Sequence, residues 1–76
     1  MKFTTNDGLV LEGRDRRAIV RSLRRASNTQ ASSEEAFMEE TAERARSQTG
    51  QYVRTDTHFN FIEDLVGLGL LKGEKQ

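Results

Sequence analysis

The chain contains no cysteine, carries no net charge and has no long hydrophobic run. Without cysteine it cannot form disulfide bonds or a thiolate metal site, so its stability must come from packing alone. This favours a reducing compartment, and we expect a cytoplasmic protein. No segment approaches the roughly 20 apolar residues of a membrane span, and the first residues lack the apolar core of a signal peptide.

The zero net charge results from 12 basic and 12 acidic side chains. A neutral chain is not strongly attracted to nucleic acid in a non-specific way, although a local basic patch can still attract anions. A length of 76 residues allows one domain with a small core, so we expect no large cofactor. The hydrophobic content of 34% is too high for simple disorder.

The N-terminal segment, Lys2 to Gly13, is predicted to form a β-hairpin. Asn6, Asp7 and Gly8 tolerate the positive φ angles of a tight turn, and apolar residues alternate on both sides of it. Asp15 follows as the N-cap of a first helix that extends to about Ser27.

A polar linker, Ser27 to Ser33, separates the first helix from a second one. Ser32 and Glu35 fit a capping box, which predicts a helix from about Glu34 to Thr49 that ends at Gly50. Residues 51–55 are acceptable in a strand and are predicted to pair with the hairpin. A third helix is expected from His58 to Leu68, ended by Gly69, with Leu70 and Leu71 folding back on the core.

These elements predict one α+β domain over residues 1–71, with the order β-β-α-α-β-α, and a flexible tail over residues 72–76. The alternative is a three-helix domain with a vestigial hairpin. The predicted core consists of Phe3, Leu9, Leu11, Ile19, Leu23, Phe37, Tyr52, Phe59, Ile62, Leu65, Val66 and Leu70.

The most unusual feature is a cluster of arginines on one side of the first helix. At about 100° per residue, Arg17, Arg21, Arg24 and Arg25 fall within about 100° of arc, opposite the apolar residues. Arg14 lies just before the helix. These five residues, here called the basic face, suit an anionic partner because guanidinium binds oxygen atoms bidentately. An internal match to the acidic second helix, or a solvated surface, explains the cluster about equally well.

The second helix has the opposite bias. Glu35, Glu39 and Glu43, here called the acidic row, are spaced four residues apart and form a secondary acidic surface. Carboxylates on one helix converge poorly on a metal ion, so a solvated surface is expected and no metal site is predicted.

Catalytic residues are not expected in this chain. His58 is the sole histidine, and no nucleophile-elbow pattern surrounds any serine. A structural role near the start of the third helix is the favoured interpretation of His58. The glycines of residues 67–73 precede no helix, so they do not form a phosphate-binding loop.

One short stretch, Leu65 to Gly73, resembles the end of a recognition helix in winged-helix DNA-binding domains, where an L-x-x-x-G-L-[LI] segment precedes the wing. The resemblance implies DNA binding by the third helix. That helix carries Glu63 and Asp64 and no basic residue before Lys72, unlike helices that face phosphates. We therefore do not assign the chain to this family. In size and style it is similar to small bacterial and mobile-element proteins.

The sequence thus predicts a non-enzymatic binding module, with an intracellular regulator or inhibitor as the expected class. Its basic face would contact an anionic protein surface, and partner choice would depend on charge complementarity. The alternative is nucleic-acid binding, with the same arginines on phosphates. Opposite charges on separate helices also make self-association possible. No membrane partner is expected.

Overall fold

The computed structural model describes residues 1–27 and 30–74, which form an antiparallel sheet and three helices. In chain order the elements are β1 (Lys2–Thr5), β2 (Val10–Glu12), α1 (Arg16–Ala26), α2 (Glu34–Thr49), α3 (His58–Gly67) and β3 (Leu71–Glu74). The α+β class is confirmed. The order β-β-α-α-α-β differs from the prediction because the third strand follows the third helix.

The predicted hairpin is present and forms two strands of the sheet. β1 pairs with β2 so that Phe3 faces Leu11. Gly8 adopts a φ of 93° in the turn, and its N–H donates to the carbonyl of Thr5 over 3.0 Å. The Thr5 hydroxyl donates to Asp7 and accepts from the N–H of Leu9, which fastens the turn from inside. The hairpin is therefore integral to the fold, not vestigial.

The C-terminal strand corrects the prediction of a flexible tail from residue 72 onward. β3 pairs antiparallel with β1, which becomes the central strand of the order β2-β1-β3. Leu71 is buried, and a Cβ at Gly73 would lie 3.2 Å from the Phe3 ring, so glycine allows close packing there. A two-stranded hairpin is marginal in water, and the third strand completes it. The last two tail residues, 75 and 76, lie outside the described part of the chain.

The predicted strand at residues 51–55 is wrong, because this segment forms an irregular connection between α2 and α3. Val53 is fully buried, whereas Tyr52 is 71% exposed. The N–H of Arg54 donates to the Asp64 carboxylate of α3 over 2.9 Å instead of to a neighbouring strand. Anchoring to a helix thus takes the place of sheet pairing.

Side-chain caps begin all three helices. The Asp15 carboxylate accepts from the N–H of Ala18, as predicted. α2 is capped by Ser33 and not by Ser32, so the predicted capping box with Glu35 is wrong by one residue. Gly50 ends α2 with a φ of 75°, as predicted.

α1 packs against β2 and α3 against β3, while α2 packs on α1, and the buried residues of these elements form one core. The buried residues are Phe3, Leu11, Ile19, Val20, Phe37, Met38, Ala45, Val53, Phe61, Ile62, Leu65 and Leu71.

Six predicted core residues lie elsewhere. Leu9, Tyr52 and Phe59 are exposed. Leu23, Val66 and Leu70 are only partly buried at the edge of the core. Relative to the predicted orientation, α3 is rotated about its axis. Phe61 is therefore fully buried, and Phe59 is 54% exposed.

Candidate binding surface on the first helix

The orientation of α1 decides which arginines are available to a partner. Ile19 and Val20 are fully buried and fix the inner side of the helix. The arginines of the basic face therefore point away from the core or along its edge. Arg14, Arg17 and Arg25 are exposed, and their side chains form no hydrogen bond or ion pair with a described residue.

Arg24 belongs to the basic face by position but has a structural contact. Its Nη2 donates to the carbonyl oxygen of Ala31 over 2.9 Å, at a partly buried site. This bond ties the linker after α1 back onto the helix. Residues 28 and 29 of this linker lie outside the described part of the chain.

Arg21 is shared between the basic face and the start of α2. Its Nε lies 3.7 Å from Oε2 of Glu34, whose Oε1 lies 3.1 Å from Nε2 of His58. Glu34 thus connects α1 to the start of α3 at the point where α2 begins. For His58, the contact agrees with the predicted structural role near a helix start.

The acidic row does not cover the basic face. Glu35, Glu39 and Glu43 are exposed, and none forms an ion pair with a described residue. Glu39 and Glu43 instead line a cavity of about 280 Å³ together with Arg46, Tyr52 and Thr55. Among the described residues, the ion pair between α1 and α2 runs through Glu34, which lies off the row.

An exposed aromatic ring next to α1 was missed by sequence reasoning. The Arg16 guanidinium carbon lies 4.3 Å from the centroid of the Phe59 ring, and its Nη2 lies 3.1 Å from Oε2 of Glu63. Arg16 Nε is buried without a hydrogen-bond partner in the described structure. We call Arg16, Phe59 and Glu63 the aromatic patch. The position of Arg16 next to the apolar side of α1 is the sequence feature that could have indicated this patch.

A second missed pair anchors the connection before α3. Arg54 donates from Nε and Nη2 to the two oxygens of Asp64, over 2.9 and 2.8 Å. These bonds, with the backbone bond from Arg54, lower the pKa of Asp64 below its ordinary value. The hydrogen bond to Asp64 likewise raises the pKa of Arg54. The pair stabilises the segment that carries Tyr52.

The described residues include no cluster of metal ligands and no buried polar or charged residue. No group of three histidine or acidic side chains converges in a way that could hold a metal ion. None of the buried residues is polar or charged, and His58 contacts Glu34 rather than a hydroxyl. None of the helices in this part of the chain has the length and hydrophobicity that a membrane crossing requires.

Comparison with known proteins gives no relative. No family model matches the chain, and no curated protein or solved structure resembles it at a significant level. A proposal for the function of this protein therefore depends on its surface geometry alone.

Proposed function

We propose that this protein is a non-enzymatic binding module, of the class of intracellular regulators or inhibitors, whose basic face contacts an anionic protein surface. The observation that carries the proposal is the exposure of Arg14, Arg17 and Arg25 without a partner in the described chain, beside the aromatic patch. Unpaired guanidinium groups bind carboxylates bidentately when a partner removes them from water.

The aromatic patch favours a protein partner over a phosphate backbone. Protein interfaces are enriched in arginine and aromatic residues, and their binding energy concentrates in such anchors. Phe59 is 54% exposed and is held in place by Arg16, so little side-chain entropy remains to be lost on binding. A partner with both acidic and apolar side chains fits this combination.

The carboxylates near the basic face also favour a protein partner over a phosphate backbone. Glu34 pairs with Arg21 of the basic face and Glu63 pairs with Arg16 of the aromatic patch, and both carboxylates would repel phosphate groups. The chain also has no net positive charge to attract a polyanion from a distance. An acidic protein surface presents fewer charges at lower density, so the same carboxylates oppose it less.

Nucleic-acid binding is the second candidate. Arg17 and Arg25 are exposed on the same side of α1, and phosphates are natural ligands for such groups. Three unpaired arginines on phosphates predict a log-log salt dependence with a slope of about −3. Binding to an acidic protein surface predicts a shallower slope and a contribution from Phe59.

The test compares three labelled probes by fluorescence anisotropy: an acidic peptide with interspersed leucines, poly-glutamate of equal length, and a short DNA duplex. We expect the leucine-containing peptide to bind most tightly. The Arg17→Gln/Arg25→Gln variant should weaken its binding about tenfold or more. Phe59→Ala should reduce it to the level of poly-glutamate.

The matched control is Arg44→Gln/Lys72→Gln, which removes two exposed cations that lie off the basic face and should bind as the wild type does. Preferential binding of the duplex, with a steep salt slope and no effect of Phe59→Ala, would establish the nucleic-acid candidate instead. If no probe binds at low salt, the proposed function is wrong.

A further inference from the structure

We propose that the anionic surface recognised by the basic face is the acidic row of a second copy of this chain, so that the protein self-associates head to tail. This inference rests on the proposed function, because it uses the same arginines and names their partner. It adds a role for α2 and for Tyr52, which the proposed function leaves unused.

The two helices carry opposite charges at the same spacing. Arg17, Arg21 and Arg25 follow one another every four residues along α1, and Glu35, Glu39 and Glu43 do so along α2. At 1.5 Å per residue, both rows have steps of about 6 Å and a length of about 12 Å. Laying α1 of one copy along α2 of another therefore brings each guanidinium opposite a carboxylate in one alignment.

These charges cannot meet inside one molecule. Phe37 and Thr41 of α2 line a groove together with Leu23 of α1, which identifies the side of α2 that faces α1. Glu39 and Glu43 line a separate cavity, to which no described residue of α1 contributes. Each copy thus presents Arg17 and Arg25, whose side chains have no partner among the described residues, and the acidic row on another side, while Arg21 between them is shared with Glu34 of its own α2.

Tyr52 makes the acidic row a better site for arginine than for lysine. Its side chain is 71% exposed and lines the same cavity as Glu39 and Glu43. A planar guanidinium stacks on an aromatic ring while it donates to carboxylates, as the Arg16 guanidinium does on Phe59 in this fold. The partner row supplies arginine at all three positions.

The geometry predicts a weak and open-ended association. Two different surfaces meet in a heterologous contact, which continues to further copies unless it closes into a ring. Exposed ion pairs contribute little each and are screened by salt, so we expect a dissociation constant on the order of 0.1 mM at low ionic strength. The zero net charge removes the general repulsion between copies.

The first experiment is sedimentation velocity of the full chain at about 0.02 M and about 0.5 M salt, over a range of concentrations. At low salt the weight-average mass should rise with concentration past twice the 8.6 kDa of the monomer. High salt should return the protein to monomer. Tyr52 is the sole tyrosine and there is no tryptophan, so its fluorescence should change in parallel.

Two variants separate the surfaces. Arg17→Gln/Arg25→Gln and Glu39→Gln/Glu43→Gln should each be monomeric and folded by circular dichroism. Mixed in equal amounts, they should form a one-to-one dimer and no larger species, because the mixture contains one intact pair of surfaces. Arg44→Gln/Lys72→Gln and Glu12→Gln/Glu40→Gln, which change equal charge elsewhere, should associate as the wild type does.

Three results would overturn the inference: a wild type that stays monomeric at low salt, a wild type that stops at a dimer, or a variant mixture that stays monomeric. A monomeric wild type that still binds the leucine-containing acidic peptide through Arg17 and Arg25 overturns self-association and leaves the proposed function standing. A monomeric wild type that binds no acidic probe overturns both.

Discussion

Asp64 is the acidic side chain whose charge the fold stabilises most clearly. It accepts three hydrogen bonds from Arg54: one from the backbone N–H and two from the guanidinium. These bonds favour the ionised carboxylate and lower its pKa. The stabilisation is therefore present above the unfolded pKa of about 3.9 and is lost as the pH falls through the lower pKa of the folded state.

We expect Asp64→Asn to lower the melting temperature at neutral pH, because the amide oxygen accepts more weakly than a carboxylate and the amide nitrogen cannot accept at all. The difference from the wild type should narrow as the pH falls below about 4, because the unfolded chain then takes up a proton at Asp64 that the folded protein, with its lower pKa, does not yet bind. Thermal unfolding followed by circular dichroism between pH about 7 and about 2.5 measures both effects. Glu43→Gln, at an exposed carboxylate, is the control. A difference that is constant with pH would contradict the assignment.

At the scale of single residues, the sequence predicted which side of a helix a side chain lies on better than it predicted the partner that the side chain contacts. Helical periodicity correctly placed Arg17 and Arg25 on the outside of α1 and Ile19 on the inside. It could not show that Arg24 reaches the carbonyl of Ala31, since that contact depends on the path of the linker. The predicted core included Phe59 and omitted Phe61, and this was wrong, because Phe61 is fully buried and Phe59 is exposed.

At the scale of secondary-structure elements, the start of α2 distinguishes two neighbouring serines. Ser33 accepts from the N–H of Ala36 over 3.1 Å, whereas Ser32 is exposed before the helix. Ser33→Ala should cost about 1 kcal/mol of folding free energy, the typical value for loss of an N-cap. Ser32→Ala should change it by less than about 0.5 kcal/mol. Urea denaturation of both variants measures the difference, and a larger loss for Ser32→Ala would place the cap one residue earlier.

Elements with a local chemical signal were predictable. The Asn6-Asp7-Gly8 turn, the Asp15 cap and the Gly50 terminus each depend on the few residues around them. The two strand assignments that failed depend on distant partners. Residues 51–55 have strand-like composition but are held against α3 by the backbone bond from Arg54 to Asp64, while Leu71–Glu74 include a lysine and a glycine but lie beside β1. Strand formation depends on tertiary context more than on composition.

At the scale of the whole molecule, β3 determines whether the sheet has two strands or three. A chain shortened after Leu71 loses the pairing of β1 with Lys72, Gly73 and Glu74. Each backbone hydrogen bond contributes about 0.5–1.5 kcal/mol, so the loss should amount to a few kcal/mol. For a small domain this is a large part of the total stability and should lower the melting temperature strongly.

The control for that truncation is a chain that ends at Glu74, which retains the complete strand and should melt close to the full-length protein. Calorimetry of the two shortened chains provides the comparison. Equal melting temperatures for both would mean that residues 72–74 contribute nothing to folding.

Whether the basic face and the acidic row pair within one molecule is also decided at this scale, and the sequence did not predict the answer. Segregation of charge onto α1 and α2 is visible in the sequence, but an internal match and two exposed surfaces are equally consistent with it. The packing of α2 against α1 through Phe37 decides the matter, because it turns the acidic row toward Tyr52. A helix rotation of this kind is set by tertiary contacts of the whole domain.

The central position of β1 has a consequence for how the protein forms in the cell. β1 is synthesised before the three helices, yet one of its neighbours in the sheet, β3, follows about 70 residues later. Until then β1 has only β2 beside it, and such a hairpin is barely stable by itself. The domain should therefore reach its native state only after synthesis of Glu74, and nascent chains should remain sensitive to protease until that point.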